Sequence, residues 1–166
     1  MRVLELVNTQ REELEAARRR LVSDRETATG RYVDALPTLC GIGPIGAWVL
    51  ATEIFGWRQI QNRRQLGALV GLVPVPYQSG KTPHDHGITR AGNKHVRRLM
   101  VQLAWSWVRY PESGLAQWYQ RRFGSGSKRM RRIGIVALAR KLLIALWRYA
   151  EQGEIPEEAI LKSEAA

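Results

Sequence analysis

Between Leu72 and Arg90 the chain places Pro74, Pro76, Pro83, Gly80 and Gly87, and no helix survives that spacing. Proline lacks the donor a helix interior needs, and glycine loses the most backbone entropy there. On either side the apolar residues recur at helical intervals. The expectation is therefore an all-α chain interrupted once, by an irregular segment long enough to carry function. A short extended piece around Val73 to Gln78 is the one stretch with strand character. Its centre reads Tyr77-Gln78-Ser79-Gly80-Lys81.

Arg2 to about Thr29 reads as one charged helix, with Leu4, Val7, Leu14 and Leu21 near heptad spacing and Gly30 as its stop. This suits either a coiled-coil arm or a helix packed on its own domain. Tyr32 to Cys40 reads as a short helix that Pro37 starts or breaks. Gly41-Ile42-Gly43-Pro44 then opens a helix to Phe55, so the pair resembles a helix–hairpin–helix. Asn62 is placed to cap a helix from Arg63 to Gly71. A helix from Asn93 to Tyr110 turns Val96, Leu99, Met100, Leu103, Ala104 and Trp107 to one face. Gly114 to Phe123 forms a shorter helix. The last runs from Lys128 to Gln152, with Ile133, Val136, Ala137, Leu143, Ile144 and Trp147 expected inward. The organisation expected is an arm (1–30), a helix–hairpin–helix domain (31–152) and a short acidic tail (153–166).

Charge narrows the function. The 166 residues carry a net +11, unevenly distributed. Between Ile54 and Ala150 stand 18 Lys or Arg, mostly Arg, against two acids, Asp85 and Glu112. Such a region attracts polyphosphate, and arginine suits bidentate phosphate contact. The plain alternative is the solvated surface of a small basic protein. One cysteine, Cys40, excludes an internal disulfide framework and a multi-cysteine zinc site. No apolar run is long enough for a membrane span, and the charged N-terminus is unlike a signal peptide, so no membrane partner and a cytoplasmic location are expected.

Four elements could carry chemistry. Gly41 and Gly43 could let backbone N–H groups meet a DNA phosphate, or simply make a tight turn. Ser79 could attack a phosphodiester and hold the strand as a phosphoserine ester. On composition alone, a serine beside glycine in a loop is far more often a turn residue. Lys81, Arg90, Lys94, Arg97 and Arg98 are near Ser79 in sequence and could balance phosphate charge. His84-Asp85-His86 invites a metal reading, but no further cluster completes a coordination sphere, so phosphate contact or loop polarity is preferred and no metal site is assigned. His95 is read as structural or as a phosphate contact. Of the six tryptophans, Trp48, Trp57, Trp105, Trp107, Trp118 and Trp147, most are expected in the core. A two-metal nuclease needs convergent carboxylates, and only Glu53, Asp85 and Glu112 are available in or beside the basic region.

Several unusual pieces occur in fixed order: Gly41-Ile42-Gly43-Pro44, Gln65-Leu66, Gly71-Leu72-Val73-Pro74, Gln78-Ser79-Gly80-Lys81, Gly87-Ile88-Thr89-Arg90-Ala91-Gly92-Asn93, Val96-Arg97-Arg98-Leu99 and Ala137-Leu138-Ala139-Arg140-Lys141-Leu142-Leu143. Together, from Leu36 to Trp147, they resemble the C-terminal domain of the insertion-sequence-110 family of transposases, with Cys40 where that family usually has proline. The resemblance implies that Ser79 is the nucleophile toward DNA. It implies that Lys81, Arg90, Asn93, Arg97 and Arg98 hold the scissile phosphate. It further implies an N-terminal nuclease-like domain with four acidic residues that would hold divalent metal, a domain expected to be missing here; no cofactor is expected in the chain itself. A coiled coil joins the two domains in that family, and residues 2–29 look like its second arm. A structured guide RNA joins DNA among the implied partners. The expected protein partner is a second copy, or a full-length transposase, met through the arm.

Two functions follow. One is a DNA-binding serine domain for transposition that forms or supports a phosphoserine–DNA intermediate and is inactive without the nuclease-like domain. The other is a non-catalytic DNA- or RNA-binding remnant, or an inhibitory truncated transposase.

Overall fold

The computed structural model describes residues 2–23, 27–77, 84–155 and 159–162. Helix α1 spans Arg2–Ser23. Helix α2 spans Ala28–Ala35, and a 3-10 turn at Leu36–Thr38 follows it. Gly30 does not end a helix. It is buried inside α2, and its N–H donates to the Thr27 hydroxyl that caps that helix, at 3.1 Å. Threonine at the cap outweighs the single glycine, whose lack of a side chain suits close packing. Pro37 lies in the first turn of the 3-10 segment, where a missing donor costs nothing.

Helix α3 spans Pro44–Leu50 and runs on as a π-helical turn at Ala51–Phe55. Helix α4 covers Arg63–Val70. Asn62 Oδ1 caps it by accepting from Arg64 and Gln65 N–H at 3.0 and 2.9 Å. Strands β1 (Pro74–Tyr77) and β2 (His84–Ile88) pair antiparallel, with Tyr77 opposite His84 and Pro74 opposite Ile88. The register slips between Pro74 and Pro76, so Val75 stands opposite both His86 and Gly87, and Gly87 takes φ 79°. The broken segment is thus a bulged hairpin, and the extended reading of Val73 to Gln78 fell on its first strand. Prolines are tolerated because a two-stranded ribbon is all edge.

Helix α5 spans Lys94–Trp107. Helix α6 spans Gly114–Tyr119 with a π-helical turn at Gln120–Gly124, and α7 spans Lys128–Gln152. The architecture is a helix-rich bundle with one small antiparallel hairpin. Its core centres on α5 against α7, with α4 and α6 also packed on α7 and with α2 on α3. Val96, Met100, Leu103, Ala104 and Trp107 are buried, as the spacing of α5 requires. After α7 the chain returns: Cys40 N–H donates to Ile160 O at 2.8 Å and Lys162 N–H to Thr38 O at 2.9 Å. Ala159 and Leu161 pack on the core there. No described helix is long and apolar enough to cross a membrane.

The buried face of α7 agrees with the expectation at Leu143 and differs elsewhere. Ile135, Leu138, Ala139, Leu142, Leu143 and Leu146 are buried, whereas Ile133 is 48% exposed and Val136, Ala137, Ile144 and Trp147 are half-buried. From Ile133 to Trp147 only Arg140 and Lys141 are charged. Two regular series therefore satisfy helical spacing, and periodicity alone cannot choose between them.

Helix α1 packs on α2, yet Val3, Leu4, Leu6, Val7, Leu14 and Leu21 are each at least 53% exposed. A concavity of about 600 Å³ lies between α1 and Trp48, lined by Leu14, Arg18 and Leu21 among others.

The face of α7 is testable by truncation. Leu138→Ala should cost about 2–5 kcal/mol of unfolding free energy, as for a buried leucine. Ile133→Ala should cost less than about 1 kcal/mol, because its side chain is half in water already. Urea denaturation of both variants reads the contrast, and equal losses would contradict the assigned face.

Candidate nucleic-acid interface

Five of the residues proposed from sequence, Arg90, Asn93, Lys94, Arg97 and Arg98, lie at or just after the junction between α4 and α5. Gly71 ends α4 in the left-handed conformation (φ 70°), with its N–H on Ala68 O at 3.0 Å. A β-carbon there would collide with the Ala91 carbonyl, so glycine is required twice over, by conformation and by space. Gly92 (φ 89°) is equally constrained, because a β-carbon would strike the Leu69 carbonyl. Between them Thr89 N–H bonds Val73 O at 2.9 Å and Asn93 N–H bonds Leu69 O at 2.8 Å. Arg90 takes φ 55° and is the one non-glycine residue with positive φ among those described. The strained turn from Arg90 to Asn93 is thus held between the end of the hairpin and the end of α4.

Asn93 starts α5. Its Oδ1 accepts from His95 and Val96 N–H at 2.9 and 3.1 Å, while its Nδ2 donates to Glu53 Oε2 at 2.6 Å. The same side chain therefore caps one helix and ties it to the π-helical end of α3. Arg97, expected to hold phosphate, is half-buried and donates from Nη1 to Val70 O at 3.0 Å and to Ala91 O at 3.4 Å. It neutralises carbonyls at the negative end of α4. Arg90, Lys94 and Arg98 are exposed, with no acidic partner among the described residues. Of the three, Lys94 lines an open concavity of about 790 Å³. Its lining includes Glu53, Arg58, Gln65, Asn93, Lys94 and His95. His95 is exposed there and is no core histidine.

Gly41 and Gly43 lie elsewhere. A β-carbon on Gly41 (φ 86°) would come within 3.1 Å of the Trp107 ring and 3.3 Å of Tyr110, so that glycine serves packing at the far end of α5. The 14 residues of α5 separate this end from Asn93, about 20 Å at roughly 1.5 Å per residue. Gly43 is exposed and extended (φ −95°), with open space where a β-carbon would stand, and α3 has no side-chain cap. The proposed residues therefore form two groups at opposite ends of α5. Gln78, Ser79, Gly80 and Lys81 lie outside the described residues, in the six-residue link from Tyr77 to His84.

Sequence reasoning gave no site role to three features. Glu53, from the π-helical end of α3, and Arg58, just after it, reach the concavity. Trp57 is 64% exposed, yet held: its Nε1 donates to Thr52 O at 2.8 Å and the Arg58 guanidinium sits 4.2 Å from its ring centre. Trp105 is also 49% exposed, Trp107 is buried, and Trp48, Trp118 and Trp147 are half-buried. The third feature is a cationic surface from Arg121 to Arg132. Among the described residues no three His, Cys, Asp or Glu converge as metal ligands. Burial first, then the Glu151 carboxylate, push the Tyr32 phenol above its ordinary value, with Arg31 opposing; this group is remote from the junction residues in sequence.

Arg97→Ala should lower stability by about 1.5–3 kcal/mol, the usual range for a hydrogen bond to a charged group. Arg98→Ala, which removes an exposed cation, should stay within about 0.5 kcal/mol. Denaturant unfolding distinguishes them. A neutral Arg97→Ala would mean that its side chain serves a ligand and not the junction.

The profile of the Transposase IS116/IS110/IS902 family matches residues 33–120. A Sinorhizobium fredii protein named as transposase y4rJ is 38% identical over 96% of this chain and 42% of its own length. The transposase for insertion sequence element IS1328 of Yersinia enterocolitica is 34% identical over 87% of this chain and 42% of its own. The S. fredii protein named as transposase y4qE is 43% identical over 48% of this chain and 20% of its own. The chain thus spans about two fifths of the length of the first two relatives. No solved structure matches. The matched region takes in the bulged hairpin, the α4–α5 junction and both groups of proposed residues, and the chain belongs to the IS116/IS110/IS902 family of transposases.

Proposed function

We propose that the chain is the DNA-engaging serine domain of such a transposase, with Ser79 as nucleophile. The observation that supports it is the α4–α5 junction: the second of the two strands that flank Ser79 in sequence leads into a turn carrying Arg90 and Asn93, and Lys94 and Arg98 follow at the start of α5. In the proposed step Ser79 Oγ attacks a backbone phosphorus of DNA and an O–P bond forms. The bond from phosphorus to one deoxyribose oxygen breaks, and that oxygen departs as a hydroxyl with the proton serine gives up. The phosphoserine ester keeps the bond energy, so a second strand's hydroxyl can reverse the step and join a new partner. Lys81, Arg90, Lys94 and Arg98 would offset the charge that builds on the phosphorus-bound oxygens. Arg97 would act one step back, holding the turn that presents them.

In the same reading Leu39 to Pro44 is the hairpin of a helix–hairpin–helix, and Gly43 leaves the start of α3 open to a backbone phosphate. The exposed stripe of α1 would pair with the same stripe of a second copy or a full-length transposase. The family's divalent metal finds no fitting donor set among the described residues, and no step here runs through one. A nuclease-like domain would supply that chemistry, and a structured guide RNA the choice of target. A second reading, binding without chemistry, rests on the exposed apolar stripe of α1, which would dock on a full-length transposase.

The test mixes the chain with the nuclease-like domain of a full-length relative, guide RNA and labelled DNA, and looks for a denaturation-resistant adduct. The expected result is an adduct with wild type and none with Ser79→Ala, while salt-sensitive DNA binding is the same in both. An adduct that persists in Ser79→Ala sinks the serine assignment. Binding with no adduct under any condition favours the second reading.

A further inference from the structure

We infer that the turn joining α6 to α7 is a second, preformed DNA contact: a cationic surface for the phosphates of duplex DNA. The inference rests on the reading of the chain as DNA-engaging, and goes beyond the residues that reading uses. Arg121, Arg122, Lys128, Arg129, Arg131 and Arg132 are all exposed. No acid occurs between Glu112 and Glu151, and none of the six has an ion-pair partner among the described residues. The matched family profile ends at residue 120, whereas the y4rJ protein aligns over 96% of the chain.

Two observations separate it from an ordinary solvated face. First, it works against its own helix. Lys128, Arg129 and Arg131 occupy the opening of α7, where the helix dipole is positive, and the first turn holds no acid. That arrangement costs stability in the free protein, and an external polyanion relieves it. Second, its backbone is fixed. Phe123 is buried against Gly134, where a β-carbon would collide with its ring. Tyr119 Oη donates to Arg131 O at 3.3 Å, Gly126 N–H to Phe123 O at 3.0 Å, and Met130 N–H to the Ser127 hydroxyl at 3.3 Å. Six long cations thus project from a fixed backbone on either side of the turn, two from the π-helical segment and four from the start of α7, which reduces the ordering cost of meeting a row of phosphates.

The chemistry favours a duplex. Single strands are held by aromatic platforms beside the cations. Here the neighbouring aromatics are turned to other work: Trp118 packs edge-on to Phe123 at 5.6 Å with Lys141 4.9 Å from its ring centre, and Tyr119 is buried. Cations without stacking rings read the backbone and not the bases.

The test measures binding of the full chain to a fluorescein-labelled duplex by anisotropy across a salt series. One variant carries Arg121→Gln, Arg122→Gln, Lys128→Gln and Arg129→Gln. A charge-matched control carries Arg63→Gln, Arg64→Gln, Arg109→Gln and Arg148→Gln, all exposed. Circular dichroism confirms folding of both. The first variant should lose about 1 unit of log–log salt slope for each phosphate contact removed, and roughly tenfold or more in affinity, with the control losing clearly less. Equal losses in the two variants overturn the assignment, while the DNA-engaging reading stands. A loss seen on single-stranded DNA or an RNA hairpin but not on the duplex also overturns it. A wild-type chain that binds no duplex at low salt removes the broader reading as well.

Discussion

The guanidinium of Arg97 bridges the last carbonyls of α4 and the turn that opens α5, and the placement of the hairpin depends on that bridge. Without it, the Val70 carbonyl would stand unpaired in a partly buried corner, a costly state, while the Ala91 carbonyl is exposed. The bridge works only because Gly71 and Gly92 bring two backbone segments closer than any side chain permits. Asn93 then sets the first turn of α5 and fastens it through Glu53 to the helix after the Gly41–Pro44 turn. One compact knot of backbone therefore coordinates three elements: the hairpin, α5 and the end of α3.

From that knot α5 carries the geometry outward. Its buried face, from Val96 to Trp107, is clamped against α7, and Trp107 in turn receives Gly41. The α4–α5 junction and the Gly41 turn are thus fixed at the two ends of a single packed helix, about 20 Å apart. That separation is on the scale of several base pairs, so two contacts can engage one duplex without competing for the same phosphate. The basic surface stays basic because almost nothing among the described residues neutralises it. The core is held by apolar packing and helix caps, which leaves the exposed arginines of α5 and the α6–α7 turn available to a polyanion.

Much of this was legible in the sequence. Prolines at 74, 76 and 83 excluded helix there, and Asn62 and Asn93 marked helix starts that the structure bears out by their hydrogen bonds. Helix periodicity located the core side of α5, where charged residues delimit one face. It failed on α7, where apolar residues occupy nearly every position and the burial is decided by which neighbours surround the helix. Gly30 misled because a glycine within a helix and a glycine after one look alike until the cap is seen. The charge of Arg97 is visible in sequence, whereas the carbonyls it meets are not, because they belong to residues 27 and 6 positions away. Glu53 had no local signal at all; its partner is 40 residues downstream.

Hydrogen exchange measured with and without duplex DNA tests the central claim most directly, namely that DNA lies along the basic ends of the bundle. The account predicts slowed exchange at three separate places: Leu39 to Ala47, Thr89 to Arg98, and Gln120 to Arg132. Helix α1 should be unaffected. Protection confined to α1, or spread evenly over the chain, would contradict the account.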